Sequence, residues 1–249
     1  MDPLLKFCMR MGDNALILAQ RTGEWCGHAP VLEEDIAFAN MGLDLIGQTQ
    51  LWLKLAGEIE GKGRSADDLA FLRTERQFLN CLLVEQPNTD FAVALMRQYL
   101  FDAWHLPMLD GLTASSDKRV AAIAEKVVKE VRYHIDRSRD LVIGLGDGTT
   151  ESNARMQGAL NMLWPFVADL LATDQADEAL LAQGVIPDPE TVAASFRAET
   201  AATFAAARLE TPEVELSRTG GRNGLHSEHM GYILSEMQYL QRTYPGVTW

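Results

Sequence analysis

Apolar residues recur along almost the whole chain at intervals of three and four, and no stretch sustains the alternate-residue pattern of a half-buried strand. The pattern predicts an all-α protein, a long-helix bundle with additional C-terminal helices. Asp2 before Pro3 supplies an N-cap and first-turn pair for a helix that runs to about Arg21, short of Gly23. Pro30, followed by Glu33, Glu34 and Asp35 where a helix start favours acids, opens a second helix that continues to Glu60 and stops at Gly61 and Gly63. Such a helix is on the order of 45 Å long, a length suited to a large bundle. An irregular stretch with short helices follows from Ala66 to Val84, and Pro87-Asn88 marks a turn. Asp90 caps a third long helix towards Ala114, with Pro107 a kink inside it. Ser116 and Asp117 start a fourth that ends at Gly144 or Gly146, and the very short connection makes the third and fourth antiparallel neighbours. Further helices are expected near 151–172, 176–183, 189–208 and 228–243, with 209–227 as the one long loop. Neither an internal repeat nor a linker divides the chain, so residues 1–249 read as a single helical domain.

The second and fourth helices carry the pattern of a carboxylate-bridged di-metal bundle with its ligands removed. Such a bundle places Glu-x-x-His on a core-facing stripe, because that spacing aims both side chains at one ion from one helix face. Here the second helix reads Leu45-x-x-Gln48 on the stripe Met41, Leu45, Gln48, Trp52, and the fourth reads Val131-x-x-His134 on the stripe Val127, Val131, His134, Ser138. One carboxylate of each pair is hydrocarbon and one histidine is an amide, so a divalent cation would lack the anionic oxygens that neutralise it. No catalytic, cofactor-binding or metal-binding residue is assigned to this chain on that pattern. It points instead to a partner that kept the chemistry.

On the third helix, Leu95, Tyr99, Asp102, Leu106 and Leu109 fall at heptad spacing, which puts Asp102 on an otherwise apolar stripe. A buried carboxylate needs a partner, and His134 holds the matching position on the fourth helix. Alternatively, Asp102 turns with Gln98 and His105 onto a wetter face. The first helix faces the bundle with Phe7, Met11, Asn14 and Leu18, or one notch round with Leu4, Cys8, Met11, Ala15 and Leu18, and neither register supplies a carboxylate. Weaker constellations are Cys26 with His28, which lack an orienting acid, and His226-Ser227-Glu228-His229, a possible cap or adventitious zinc site. The preceding Arg218-Thr219-Gly220-Gly221-Arg222-Asn223-Gly224 has the composition of a phosphate contact without the strand-to-helix setting, and partner docking or a rigid loop is an equal reading.

Composition narrows the partners. With 249 residues, 47% of them apolar, the chain can build a sizeable core. A formal charge of −13 opposes nucleic acid and anionic lipid alike. Three cysteines without a C-x-x-C pair, a secretory leader or an apolar run of membrane-spanning length read as a reduced, cytoplasmic protein.

Six segments together resemble the structural C-subunit family of the bacterial phenylacetyl-CoA epoxidases, ferritin-like multicomponent monooxygenases. They are Gly23-Glu24-Trp25-Cys26-Gly27-His28-Ala29-Pro30, Gly42-Leu43-Asp44-Leu45-Ile46-Gly47-Gln48, Leu83-Val84-Glu85-Gln86-Pro87-Asn88, Asp102-Ala103-Trp104-His105, Arg218-Thr219-Gly220-Gly221 and Glu236-Met237-Gln238-Tyr239-Leu240, with Pro245-Gly246 and Trp249 closing the chain. The resemblance implies a structural role, in which the chain pairs with and stabilises a catalytic di-iron A subunit of the same fold. It also implies a small B subunit and a reductase that carries flavin and an iron-sulfur cluster and passes electrons from NADPH. The implied reaction inserts one oxygen atom of O2 into the ring of phenylacetyl-CoA, giving a 1,2-epoxide. Against the catalytic sibling's pattern, Asp102 and His134 are residual ligand positions, while Leu45, Gln48 and Val131 are lost ones. Gln77, Phe78 and Asn80 are candidates to border the CoA ester held mainly by the sibling, ordinary helix surface being the other reading. Trp104, Trp164 and Trp249 are candidate interface anchors if exposed, and core residues otherwise. Competing functions are an autonomous di-metal oxidase with displaced ligands, a metal-free hydrolase using Cys26 or Cys81, and a helical scaffold unrelated to oxygen chemistry.

Overall fold

The computed structural model describes residues 1–214 and 216–247. Its helices are α1 (Pro3–Gly23), α2 (Leu32–Glu60), α3 (Ala66–Phe71), α4 (Phe91–Leu112), α5 (Lys118–Gly146), α6 (Thr150–Leu163), α7 (Val167–Leu170), α8 (Gln175–Ala182), α9 (Pro189–Ala206), α10 (Glu228–Met237) and α11 (Tyr239–Thr243). Among the described residues there is no strand, so the all-α class stands.

The caps are those the sequence signals. Asp2, Asp90 and Asp117 each accept a backbone N–H of the first turn, from Leu5, Val93 and Arg119 respectively, and Gly61 ends α2 at φ 68°. Two expected helices are broken. The 151–172 stretch stops at Leu163, because Pro165 cannot donate a backbone hydrogen bond, and a 3-10 turn over Trp164–Phe166 leads into α7. The 228–243 stretch divides at Gln238, whose buried amide donates to the Ala70 and Arg73 carbonyls, a tertiary bond no local pattern announces.

Two compact units emerge, one built from Met1–Pro87 with the C-terminal stretch from Thr219, the other from Asn88–Arg218. In the first, α1 and α2 form an antiparallel pair. Phe7 meets Trp52 edge to face at 6.0 Å, and at Gly12 a Cβ would come within 2.6 Å of Leu53, so glycine sets the closeness of the two helices. The irregular segment 73–86 is tied to α1 by buried polar groups. Arg73 makes a bidentate pair with Asp13, donates to the Gln77 carbonyl at 2.9 Å and lies 4.0 Å over the Phe78 ring. Asp13 also accepts the Leu79 amide at 2.8 Å, and Asn14 accepts the Cys81 amide at 2.7 Å. In the second unit α4 and α5 are the long antiparallel pair, with α6 and α9 packed on α4. Tyr99 of α4 packs against Phe204 of α9, and Trp164 stacks on Phe196 at 6.2 Å.

Asp13 and Arg73 expose 0% and 1% of their side chains, so each relies on the other for its lost water. Asp13→Ala should therefore cost about 3–5 kcal/mol, the range for stranding one member of a buried pair. Urea unfolding of the variant checks this; a loss under about 1 kcal/mol would mean that water reaches the guanidinium.

Candidate functional site

The positions that a di-metal bundle would use are all withdrawn from solvent. Leu45 and Gln48 on α2 are 0% and 1% exposed, and Asp102, Val131 and His134 on α4 and α5 are each 0% exposed. Asp102 is buried as its heptad position requires, although on α4 every residue from Ala92 to His105 is buried with it. The wetter alternative for Asp102 fails because Gln98 and His105 are buried with it, at 1% and 2%.

Within the second unit, both carboxylate oxygens of Asp102 accept from Gln98 Nε2, at 3.0 and 3.1 Å, one turn away on the same helix. An amide is a neutral donor. Burial pushes the Asp102 carboxyl up to about 7, with the charge of His134 and the Gln98 bond opposing that rise only in part. His105 packs on the Phe101 ring at 4.9 Å, and its Nδ1 makes no hydrogen bond among the described residues. Burial first, and the like charge of His134 second, lower its pKa to about 3. The polar centre of this unit is thus a partly protonated acid beside a neutral imidazole.

Leu45 and Val131 offer only hydrocarbon, so no anionic oxygen from either can reach a cation, and the donor set does not fit a di-iron group. Among the described residues no three or more His, Cys, Asp or Glu side chains gather to hold a metal ion.

The first unit assembles a constellation that the sequence reading missed. Glu85, 0% exposed, accepts from His226 Nδ1 at 2.7 Å and Asn80 Nδ2 at 3.2 Å on Oε1, and from the Ser227 amide and hydroxyl at 2.9 and 2.6 Å on Oε2. Its backbone carbonyl accepts two bonds from Arg21. His226 Nε2 meets the Phe78 carbonyl at 2.9 Å, so both ring nitrogens face acceptors, an arrangement that favours the charged ring. Burial works against that charge, but Glu85 and the Phe78 carbonyl outweigh it and raise the His226 pKa. His226 is therefore occupied, which leaves it unavailable for the adventitious-zinc reading of the His226–His229 segment, and it ties the chain entering α10 to Glu85. Ser227 occupies the N-cap position of α10, but its hydroxyl serves Glu85 and makes no cap bond. Gly224, at φ 78° with a Cβ position 2.5 Å from the Arg76 carbonyl, lets the glycine-rich loop lie flat on the same unit. The signal for this cluster was Glu85 and Asn80 standing inside a strongly apolar stretch.

The chain matches the phenylacetic acid catabolic protein family over residues 1–249. It belongs to that family. It is also 50% identical, over all of both chains, to the C subunit of the 1,2-phenylacetyl-CoA epoxidase of Escherichia coli (strain K12). The family resemblance carried by the six quoted segments is confirmed. Of the three residues proposed to border a CoA ester, Gln77 is exposed and its side chain caps Thr74, while Phe78 and Asn80 are 0% exposed and committed to Arg73, His226 and Glu85. Trp104 is 4% exposed and belongs to the core, which corrects its candidacy as an exposed anchor. Trp164 is half-buried between Phe196 and Phe204, and Trp249 lies outside the described residues. No helix among the described residues is long and apolar enough to cross a membrane.

The two perturbed groups of the second unit give opposite pH signatures. Asp102 keeps its proton in the folded chain up to about 7, while an unfolded Asp loses it near 4, so its contribution makes stability fall as pH rises through that window. His105 stays neutral down to about 3 when folded but gains a proton below about 6.5 when unfolded, so its contribution makes stability fall as pH drops. Between about pH 4 and 6.5 the two oppose each other. Relative to the natural chain, Asp102→Asn should gain up to about 1.4 kcal/mol of stability per pH unit rising through that range, and His105→Gln should lose a similar amount. Denaturant titrations at about pH 4.5, 5.5 and 6.5 read this, and parallel curves for all three proteins would refute the assignment.

Proposed function

We propose that this chain is the non-catalytic structural component of a cytoplasmic phenylacetyl-CoA epoxidase, pairing with and stabilising a related di-iron A subunit. One observation carries the reading: the positions that would hold metal ligands are buried, yet Leu45 and Val131 fill two of them with hydrocarbon. The full-length similarity to an epoxidase C subunit supports the biochemical setting, aerobic phenylacetate degradation. In this reading O2 activation belongs to the A subunit, electrons arrive from NADPH through a reductase bearing flavin and an iron-sulfur cluster, and a small B subunit completes the complex. Phenylacetyl-CoA touches this chain at most at its periphery, where Gln77 is the only one of the three edge candidates that faces solvent.

Elemental analysis of the chain expressed alone with iron supplementation should find no stoichiometric iron. About two irons per chain, the complement of a two-metal site, would overturn the proposal.

A further inference from the structure

Helices α2 and α5 have the same length, 29 residues each, but opposite outward faces. The exposed positions of α5 include Arg119, Ala122, Glu125, Lys126, Arg132 and Asp136, an ordinary solvated face. On α2 the buried side is Phe38, Met41, Leu45, Gln48 and Trp52, and the opposite side is apolar too. Leu32 is 70% exposed, Ile36 52%, Leu43 66% and Ile46 39%, with Ala39 half-buried between them. A solvated helix needs one apolar face for the core, and α2 carries a second, bordered by the exposed Glu33 and Asn40.

The exposed set 32, 36, 39, 43, 46 advances by four and three in strict alternation, the seam that packs against another helix at a shallow crossing angle. It changes character at Gln50, after which Lys54 and Glu58 face solvent, so the seam has a defined end about 21 Å from Leu32. Gly47 beside it would give a Cβ no neighbour within 4 Å, leaving room for a close backbone approach. The loop leading into it is fixed in advance, because Asp35 accepts the Gly27 amide at 2.7 Å and the Ala29 amide at 3.5 Å. With the neighbouring Val31, 51% exposed, these side chains present on the order of 500 Å² of aliphatic surface, at the upper end of what a monomer leaves uncovered. That is well over half of the roughly 800 Å² each partner gives to a stable interface.

We infer that the outward seam of α2, from Leu32 to Ile46, docks one helix of the related di-iron A subunit, with an aliphatic four–three seam of its own and Lys or Arg flanking the end that meets Glu33 and Asp35. A second copy of this chain fits less well, since each copy brings a charge of −13. The inference rests on the pairing proposed above and names the face that performs it.

The test co-expresses the A subunit with the natural chain, with Ile36→Glu/Leu43→Glu, and with Ala122→Glu on the polar face of α5 as a control for added charge. Sizing with light scattering and titration of the purified chains are the readouts. The double variant should weaken the heteromer by about 100-fold or more, the natural chain and Ala122→Glu should pair alike, and all three lone chains should melt together because the altered residues are exposed. An unweakened double variant beside a paired natural chain overturns the seam and leaves the proposed function standing. A natural chain that never pairs overturns the proposed function and its occupant together, and a lone-chain dimer abolished by the double variant overturns the choice of the di-iron partner.

Discussion

Charge taken out of water must be answered inside the protein, and in this chain the answer comes from segments that are not helical. Asp13 lies on α1 at 0% exposure, in the middle of an apolar run, and the Arg73 guanidinium with the Leu79 amide replaces its hydration. Glu85 is answered in the same way by His226, Ser227 and Asn80. The Arg73 and Ser227 bonds join residues 60 and 142 positions apart, which is how an irregular stretch and a C-terminal loop acquire single positions in the first unit. Burial pushes the Asp102 carboxyl up to about 7 instead of near 4, because the charge of His134 and the neutral Gln98 amide offset only part of the lost hydration.

That contrast bears on the proposed role. A ferritin-like oxygenase centre holds its acids ionised because metal cations sit among them. In this chain Leu45 and Val131 are buried hydrocarbon, and the Asp102 carboxyl, taken out of water, is tolerated by holding its proton up to about 7. The remaining polar groups then stabilise or destabilise the fold with pH. The long helices pack in antiparallel pairs, and α2 carries apolar side chains on both of its sides.

Much of the fold was legible in the residues. Asp2-Pro3, Asp90 and Asp117 announced helix starts that the structure places within a residue or two, because capping is a local exchange between one side chain and the next turn's N–H groups. The inward placement of Leu45, Gln48 and Val131 was equally legible, since helix periodicity alone puts them on core-facing stripes. The break at Gln238 was not, because it answers the Ala70 and Arg73 carbonyls far back in the chain. Nor was the burial of Trp104, since an aromatic on a helix apolar all round gives no phase to read.

The sequence by itself determined the helical class, the helix starts, the family and the core-facing stripes that carry Leu45 and Val131, all of which depend on residue identity and on spacings within one turn or one helix. Only the tertiary structure decided which charges are buried and what answers them, that Phe78 and Asn80 are committed inward, and that α2 shows solvent an aliphatic seam. Those facts depend on which surfaces the folded chain covers, and coverage is a property of distant segments meeting, which no local spacing encodes.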